Sequence, residues 1–214
     1  MTASSHAARM DGVYRRQKHI YDLTRKYFLL GRDGMIRGMD APPDARVLEL
    51  GCGTGRNITL AAKHFPNAQF FGLDISAEML EIARKSTRKT GIDAQLALAD
   101  ATVFDAGELF GHGRFDRIFI SYALSMIPGW EATLDRALEH LAAGGSLHVV
   151  DFGDQNAMPA WFKAGLGVWL QKFHVTPRPN MIDIISQKAK IHGARAAGNS
   201  LYRGYAQHAV VQMA

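Results

Sequence analysis

From Val47 onward the hydrophobic positions alternate between two periods. RVLELG, AQFFGLD, AQLALAD, FDRIFISY and SLHVVDF are short apolar runs rich in branched and aromatic residues. Between them lie NITLAAKHF, SAEMLEIARKSTRKT and WEATLDRALEHLAAGG, whose apolar residues recur every three to four positions and which end in basic residues or glycine. Strands alternating with helices predict a doubly wound, mostly parallel α/β sheet. Two further helical patterns follow, MPAWFKAGLGVWLQKF and PNMIDIISQKAKIHG. NSLYRGYAQHAVVQ then reads as two strands turning near Gly204, an antiparallel hairpin that brings the sheet to seven strands. In MPAWFKAGLGVWLQKF, Trp161, Phe162 and Trp169 form a second apolar cluster, read as a core or dimer contact in preference to a membrane anchor.

Ahead of this core, residues 1–40 have a different pattern. At about 100° per residue Val13, Tyr14, Ile20, Tyr21, Leu23, Tyr27, Phe28 and Leu30 gather on one face, with Arg15, Lys18, Asp22, Arg25 and Lys26 opposite. A basic amphipathic helix results. It suits a lid over a site in the core, a helix lying on an anionic bilayer, or a packing helix with a solvated charged face.

Length and composition narrow the classes. With 214 residues, 47% of them hydrophobic and 21% charged, the chain suits one α/β domain, spanning 1–214, with a core over 46–214. The net charge of +5 is concentrated at the start. The first 40 residues hold eight basic and four acidic residues, leaving 17 basic and 16 acidic for the remainder. A near-neutral core offers no extended basic groove for nucleic acid, so the leader is where an anionic partner would be felt. Cys52 is the only cysteine, which excludes an intrachain disulfide and a multi-cysteine zinc site and fits the reducing cytoplasm. The histidines show no metal-ligand spacing, so no metal is assigned. No run of 18 uncharged apolar residues occurs, so no membrane span is expected.

The candidate chemistry begins at ELGCGTGRN, where Gly51, Gly53 and Gly55 sit between a strand and a helix. Glycines there permit a tight turn and let backbone N–H groups approach a ligand at a helix N-terminus. The spacing differs from the G-x-G-x-x-G of dinucleotide dehydrogenases. Asp74 ends the second strand, 19 residues beyond Gly55, where a carboxylate can take both hydroxyls of a ribose. Asp100, followed by Ala101, ends the third, placed to meet an adenine amino group. These acids also have an ordinary use as caps and turn formers.

The set of ELGCGTG, Asp74 and Asp100 resembles the class I methyltransferases that use S-adenosylmethionine and release S-adenosylhomocysteine, over Val47 to Asp151. That resemblance implies cofactor contacts from Glu49, Gly51, Gly53, Gly55, Asn57, Asp74, Ile75, Met79, Asp100, Ala101 and Ser121, with Tyr21 joining from the leader. The N/D-P-P-Y/F turn of nucleobase amino methyltransferases is absent after the fourth strand, which reads ISYALSMIPGW. Tyr122 is expected to project toward the transferred methyl, unless it is simply a buried ring with a satisfied hydroxyl.

YRRQKHIYDLTRKYFLLGRD, SYALSMIP and LYRGYAQHAV look like bacterial diacylglyceryl-homoserine N-methyltransferases of betaine lipid synthesis. Bacterial phosphatidylethanolamine N-methyltransferases are similar in size and core. The resemblance implies three methyl transfers to a lipid amine by an enzyme peripheral on the inner face of the membrane. Tyr14 and Tyr122 would act at the methyl, and Tyr14, Tyr21, Tyr122 and Tyr205 would line a site for the quaternary ammonium. Arg32, Arg178 and Arg203 are candidates to grip the headgroup carboxylate. No dedicated base is evident, and deprotonation falls to tyrosine hydroxyls or water. A soluble acceptor such as a quinone precursor is the alternative, and a homo-oligomer stays open.

Overall fold

The structure, a computed structural model, describes residues 28–214. The leader helix pattern up to Tyr27, with Tyr14 and Tyr21, lies outside the described residues. Seven strands form one sheet: β1 (Arg46–Leu50), β2 (Gln69–Asp74), β3 (Ala94–Leu98), β4 (Phe115–Ser121), β5 (Leu141–Phe152), β6 (Arg195–Leu201) and β7 (Ala206–Gln212). Their order is β3-β2-β1-β4-β5-β7-β6. The first five are parallel, and β7 runs antiparallel between β5 and β6, as the turn around Gly204 predicts.

Burial on both faces explains the apolar runs of the central strands. Leu48, Leu50, Ile118, Ile120, Leu147 and Val149 face one layer, against α5 (Trp130–Glu139) and α7 (Met181–Ile191). The short α4 (Ala106–Phe110), absent from the periodicity, adds Phe110 to that layer, capped by Asp105 accepting from the Glu108 N–H. Val47, Phe70, Phe119, Val150 and Phe152 face the other layer. This is built from α1 (Arg32–Arg37), α2 (Arg56–His64), α3 (Ala77–Lys89) and α6 (Ala160–Lys172).

Two boundaries differ from the sequence expectation. The helix read through LAAGG ends at Glu139, and Leu141 already begins β5. The cause is tertiary: the carbonyl of His140 accepts the Phe115 N–H, and its ring Nδ1 contacts the Gly113 carbonyl at 2.9 Å. These contacts recruit the chain to the β4 edge before the helix can continue. In α6, Leu166 and Leu170 are buried while Trp161 is 77% exposed, so Trp161 is not the core contact expected of it. Among the described residues no helix is long and apolar enough to cross a membrane.

Candidate active site

β1 and β4 lie side by side, yet β1 leads away to β2 while β4 leads to β5, so a crevice opens above their C-terminal ends. Leu50 is level with Ile120, and Leu73 with Leu50, which brings the residues after each strand to one rim. The glycine loop crosses this rim. Its first three N–H groups turn to β2 instead of to a ligand. Those of Gly51 and Cys52 both donate to the Leu73 carbonyl at 2.9 Å, and that of Gly53 donates to Asp74 Oδ2 at 2.8 Å. The loop is thus tied to the end of β2, and what it offers a ligand is close backbone approach. Gly51 requires its glycine: φ is +72°, and a Cβ there would stand 2.8 Å from that of Ala123.

Asp74 accepts the Ser76 N–H at its other oxygen, 2.9 Å away, so it is partly the turn former of the alternative reading. Each carboxylate oxygen has a second lone pair, and ribose hydroxyls can use these. Asp100 similarly takes both the N–H and the hydroxyl of Thr102 on Oδ1, at 2.9 and 2.8 Å. Ile75 is half-buried behind Asp74, Met79 is buried where Ser76 caps α3, and Ala101 is buried beside Asp100.

Glu49 is fully buried at the end of β1, where its Oε1 accepts a 2.7 Å hydrogen bond from Asn57 Nδ2 on the first turn of α2. That bond orients the amide and leaves Asn57 Oδ1 buried with no partner among the described residues, as is Ser121 Oγ at the end of β4. Buried polar atoms are rarely left unpaired. Two such orphans beside a carboxylate and the glycine loop mark a place for a polar ligand. An ammonium and carboxylate on that ligand, as on the methionine part of S-adenosylmethionine, would satisfy all of them. The residues therefore fit that cofactor.

A second cluster joins the end of the leader to the sheet. Tyr122, 2% exposed, donates its hydroxyl to the Leu30 carbonyl at 2.6 Å, and Tyr205 donates to the Phe28 carbonyl at 2.8 Å. The Tyr122 hydroxyl is thus satisfied, as in the alternative reading of a buried ring. Burial, with the nearby Asp151, pushes its phenol far above the ordinary value, and burial lifts Tyr205 to about 12. Neither is a base at neutral pH. Tyr122 adopts φ +54°, a conformation uncommon outside glycine, just where the chain leaves β4.

Each of the three arginines has its own setting. Arg32 is buried and bonded through Nε to Asp33, whose carboxylate also meets Arg56 Nη1 at 3.4 Å at the start of α2. Burial raises the Asp33 pKa, but the two guanidinium groups outweigh it and leave the carboxyl below its usual range. Arg178 donates to the carbonyls of Leu124 and Ile127, with its guanidinium 5.8 Å from the Trp130 ring. It thereby organises the loop after β4 and is not presented as a bidentate carboxylate grip. Arg203 is exposed in the hairpin turn.

Sequence reasoning missed Asp151, at the end of β5. It is fully buried and accepts the Ser125 and Phe152 N–H groups at 3.0 and 2.7 Å, fixing the same loop. Its signal was an acid in DFGD at a strand end level with Ser121 and Tyr122. Among the described residues no group of three or more His, Cys, Asp or Glu is arranged to hold a metal ion.

An aromatic row starts here and runs outward. Tyr122 packs edge-on to Phe152 at 4.7 Å, Phe152 to Tyr205 at 5.9 Å, Tyr205 to Phe162 at 6.3 Å, and Phe162 to Trp161 at 5.8 Å.

Comparison with known proteins agrees with this geometry. Residues 47–145 match a family model described as a methyltransferase domain. A demethylmenaquinone methyltransferase of Thermus thermophilus is 29% identical over 138 residues, covering 62% of this chain and 60% of that protein. The chain spans from 30% to 60% of the length of the first curated relatives it matches. The plantazolicin methyltransferase BpumL, solved with SAH, superposes with a TM-score of 0.72 at 14% identity, covering 99% of this chain and 98% of that one. A Haemonchus contortus phosphoethanolamine N-methyltransferase 2 in complex with S-adenosyl-L-methionine gives 0.62 at 20% identity, covering 79% and 38%. Both solved structures share the fold.

Proposed function

We propose, from the premise that this chain is a class I S-adenosylmethionine-dependent methyltransferase, that it methylates the amine of a lipid-borne acceptor, with diacylglyceryl-homoserine the favoured substrate and a trimethylated betaine lipid the product. The bound cofactor supplies an electrophilic methyl on a sulfonium.

The chain's own residues do the rest. Glu49, with Asn57 and Ser121, holds the amino-acid end, Asp74 the ribose, and Asp100 with Ala101 the adenine edge. Asp151 and Arg178 fix the loop after β4 that borders the acceptor side. Transfer needs an unprotonated amine aligned with the methyl in a dry site, and positioning is the main service a protein can render to that reaction.

The aromatic row from Tyr122 to Trp161 is the observation that carries the lipid reading. Its packed rings make an apolar seam from the crevice to the exposed Trp161, along whose outer end acyl chains could lie, with ring surfaces that favour a growing quaternary ammonium. Because the Tyr122 and Tyr205 hydroxyls are bonded to backbone carbonyls and hard to ionise, protons released between transfers leave through water. The likeness to a demethylmenaquinone methyltransferase favours a second reading, transfer to a ring carbon of a prenylated quinone precursor, which the same apolar seam would suit.

The test is transfer of labelled methyl to vesicles that carry diacylglyceryl-homoserine, phosphatidylethanolamine or a prenylated demethylquinone, with products resolved by mass. Three methyl groups on the homoserine lipid alone support the proposal. Label on the quinone carbon replaces it with the second reading, and label on phosphatidylethanolamine changes the headgroup.

A further inference from the structure

We infer that the outer stripe of α6 is a docking surface for an anionic lipid bilayer. A surface helix ordinarily buries one apolar face and turns charged residues to water. α6 departs from this on its outward side. Its inward residues Leu166 and Leu170 are buried, yet Trp161 and Val168 stand 77% and 71% exposed. They are seven residues apart, so they share one face two turns apart, with Gly165 between them. The apolar surface continues beyond the helix. Trp169 packs on Phe28 at 5.6 Å, and Phe28, Leu30 and Tyr202 are themselves exposed. Gly31 sits against Leu201 and Tyr202, which joins the leader's end to the hairpin turn.

Charge selects the occupant. From Gln155 to Arg178 the chain contains no aspartate or glutamate, and Asp154, beside Gly204, is half-buried and hydrogen-bonded to Asn156. Lys172, eleven residues from Trp161 and so on the same face, is exposed, as is Arg203 on the adjoining turn. An indole among aliphatic side chains with a basic rim matches the headgroup boundary of an anionic leaflet. A second copy of the chain fits less well, because a two-fold contact would bring two basic rims together. The stripe lies at the outer end of the aromatic row, so a bilayer seated on it would lie over the seam that leads to the crevice. That purpose rests on the lipid-acceptor reading, whereas the docking itself can be measured alone.

The experiment uses the full chain with phosphatidylcholine vesicles, with and without phosphatidylglycerol, carrying brominated acyl chains. The three tryptophans are Trp130, Trp161 and Trp169, so residues 1–27 contribute nothing to the indole signal. Anionic vesicles should quench a fluorescence component that Trp161→Phe removes. Trp161→Asp with Val168→Asp should weaken vesicle binding about tenfold or more, since two apolar side chains lose their burial. Lys172→Glu with Arg203→Glu should weaken binding to the anionic vesicles alone by about tenfold or more.

Binding of S-adenosylhomocysteine, measured on every variant, should be unchanged and shows that each is folded. Failure of the unsubstituted chain to bind that ligand would count against the methyltransferase reading and not against docking. Docking is overturned if the unsubstituted chain ignores anionic vesicles, or if both double variants bind like it. It is also overturned if Val168→Asp instead converts a dimer into a monomer.

Discussion

Gly51→Ala, alone and with Ala123→Gly, tests whether the glycine loop is held by backbone conformation and by close packing on the turn after β4. At φ +72° an alanine costs about 1–2 kcal/mol. Its Cβ would meet that of Ala123 at 2.8 Å, against an ordinary carbon contact of about 3.5–4.0 Å. Relieving that overlap must move the loop or the turn, at roughly 1–3 kcal/mol. The single variant should therefore lose about 2–5 kcal/mol, a fall in Tm of roughly 5–20 °C for a chain of this size. Removing the Ala123 methyl relieves only the overlap. Ala123→Gly by itself costs about 1 kcal/mol in lost burial and added chain freedom, and the pair should show a favourable coupling of about 1–3 kcal/mol. The assay is denaturant unfolding of all four proteins, with S-adenosylhomocysteine titrated into each. Gly51→Ala should weaken that ligand at least about tenfold, with partial recovery in the pair, since 1.4 kcal/mol corresponds to a factor of ten. A neutral Gly51→Ala, or two additive substitutions, would refute the packing argument.

Two other perturbations follow from the same geometry. Tyr122→Phe leaves the Leu30 carbonyl without its donor and should cost about 1–3 kcal/mol. Hydrogen exchange at residues 28–31 should rise while methyl transfer persists, whereas collapse of kcat at unchanged stability would return Tyr122 to the chemistry. His148 is buried, and burial, with His208 and Arg117 nearby, lowers its pKa from 6.5 to about 4. The unfolded chain therefore binds a proton that the folded chain refuses between these values. This stabilising contribution is present above pH 6.5 and declines as pH falls toward 4, by of order 3 kcal/mol. His148→Gln should flatten that part of the stability profile, and an unchanged slope would show that other groups set it.

The alternation of strands and longer helices, the parallel core with its terminal hairpin, the glycine turn and the acids ending β2 and β3 were legible in the sequence. Each rests on a local cause. Periods of two and of three to four mark faces that must be buried, and glycine marks a backbone that other residues adopt only under strain. The partners of side chains far apart in sequence were decided only by the tertiary structure. Nothing in ISYALS shows that the Tyr122 hydroxyl meets a carbonyl 92 residues earlier, or that Arg178 returns to the loop after β4. Nor does ELGCG show that its N–H groups turn to Leu73 and Asp74 and away from a ligand. The helix that stops at Glu139 belongs to the same class, because the β4 edge takes the His140 carbonyl just beyond its end. α6 shows the limit most plainly. Its apolar residues encircle the helix, so the pattern identifies no outward side, and only packing against the sheet decides that Leu166 is covered and Trp161 is not.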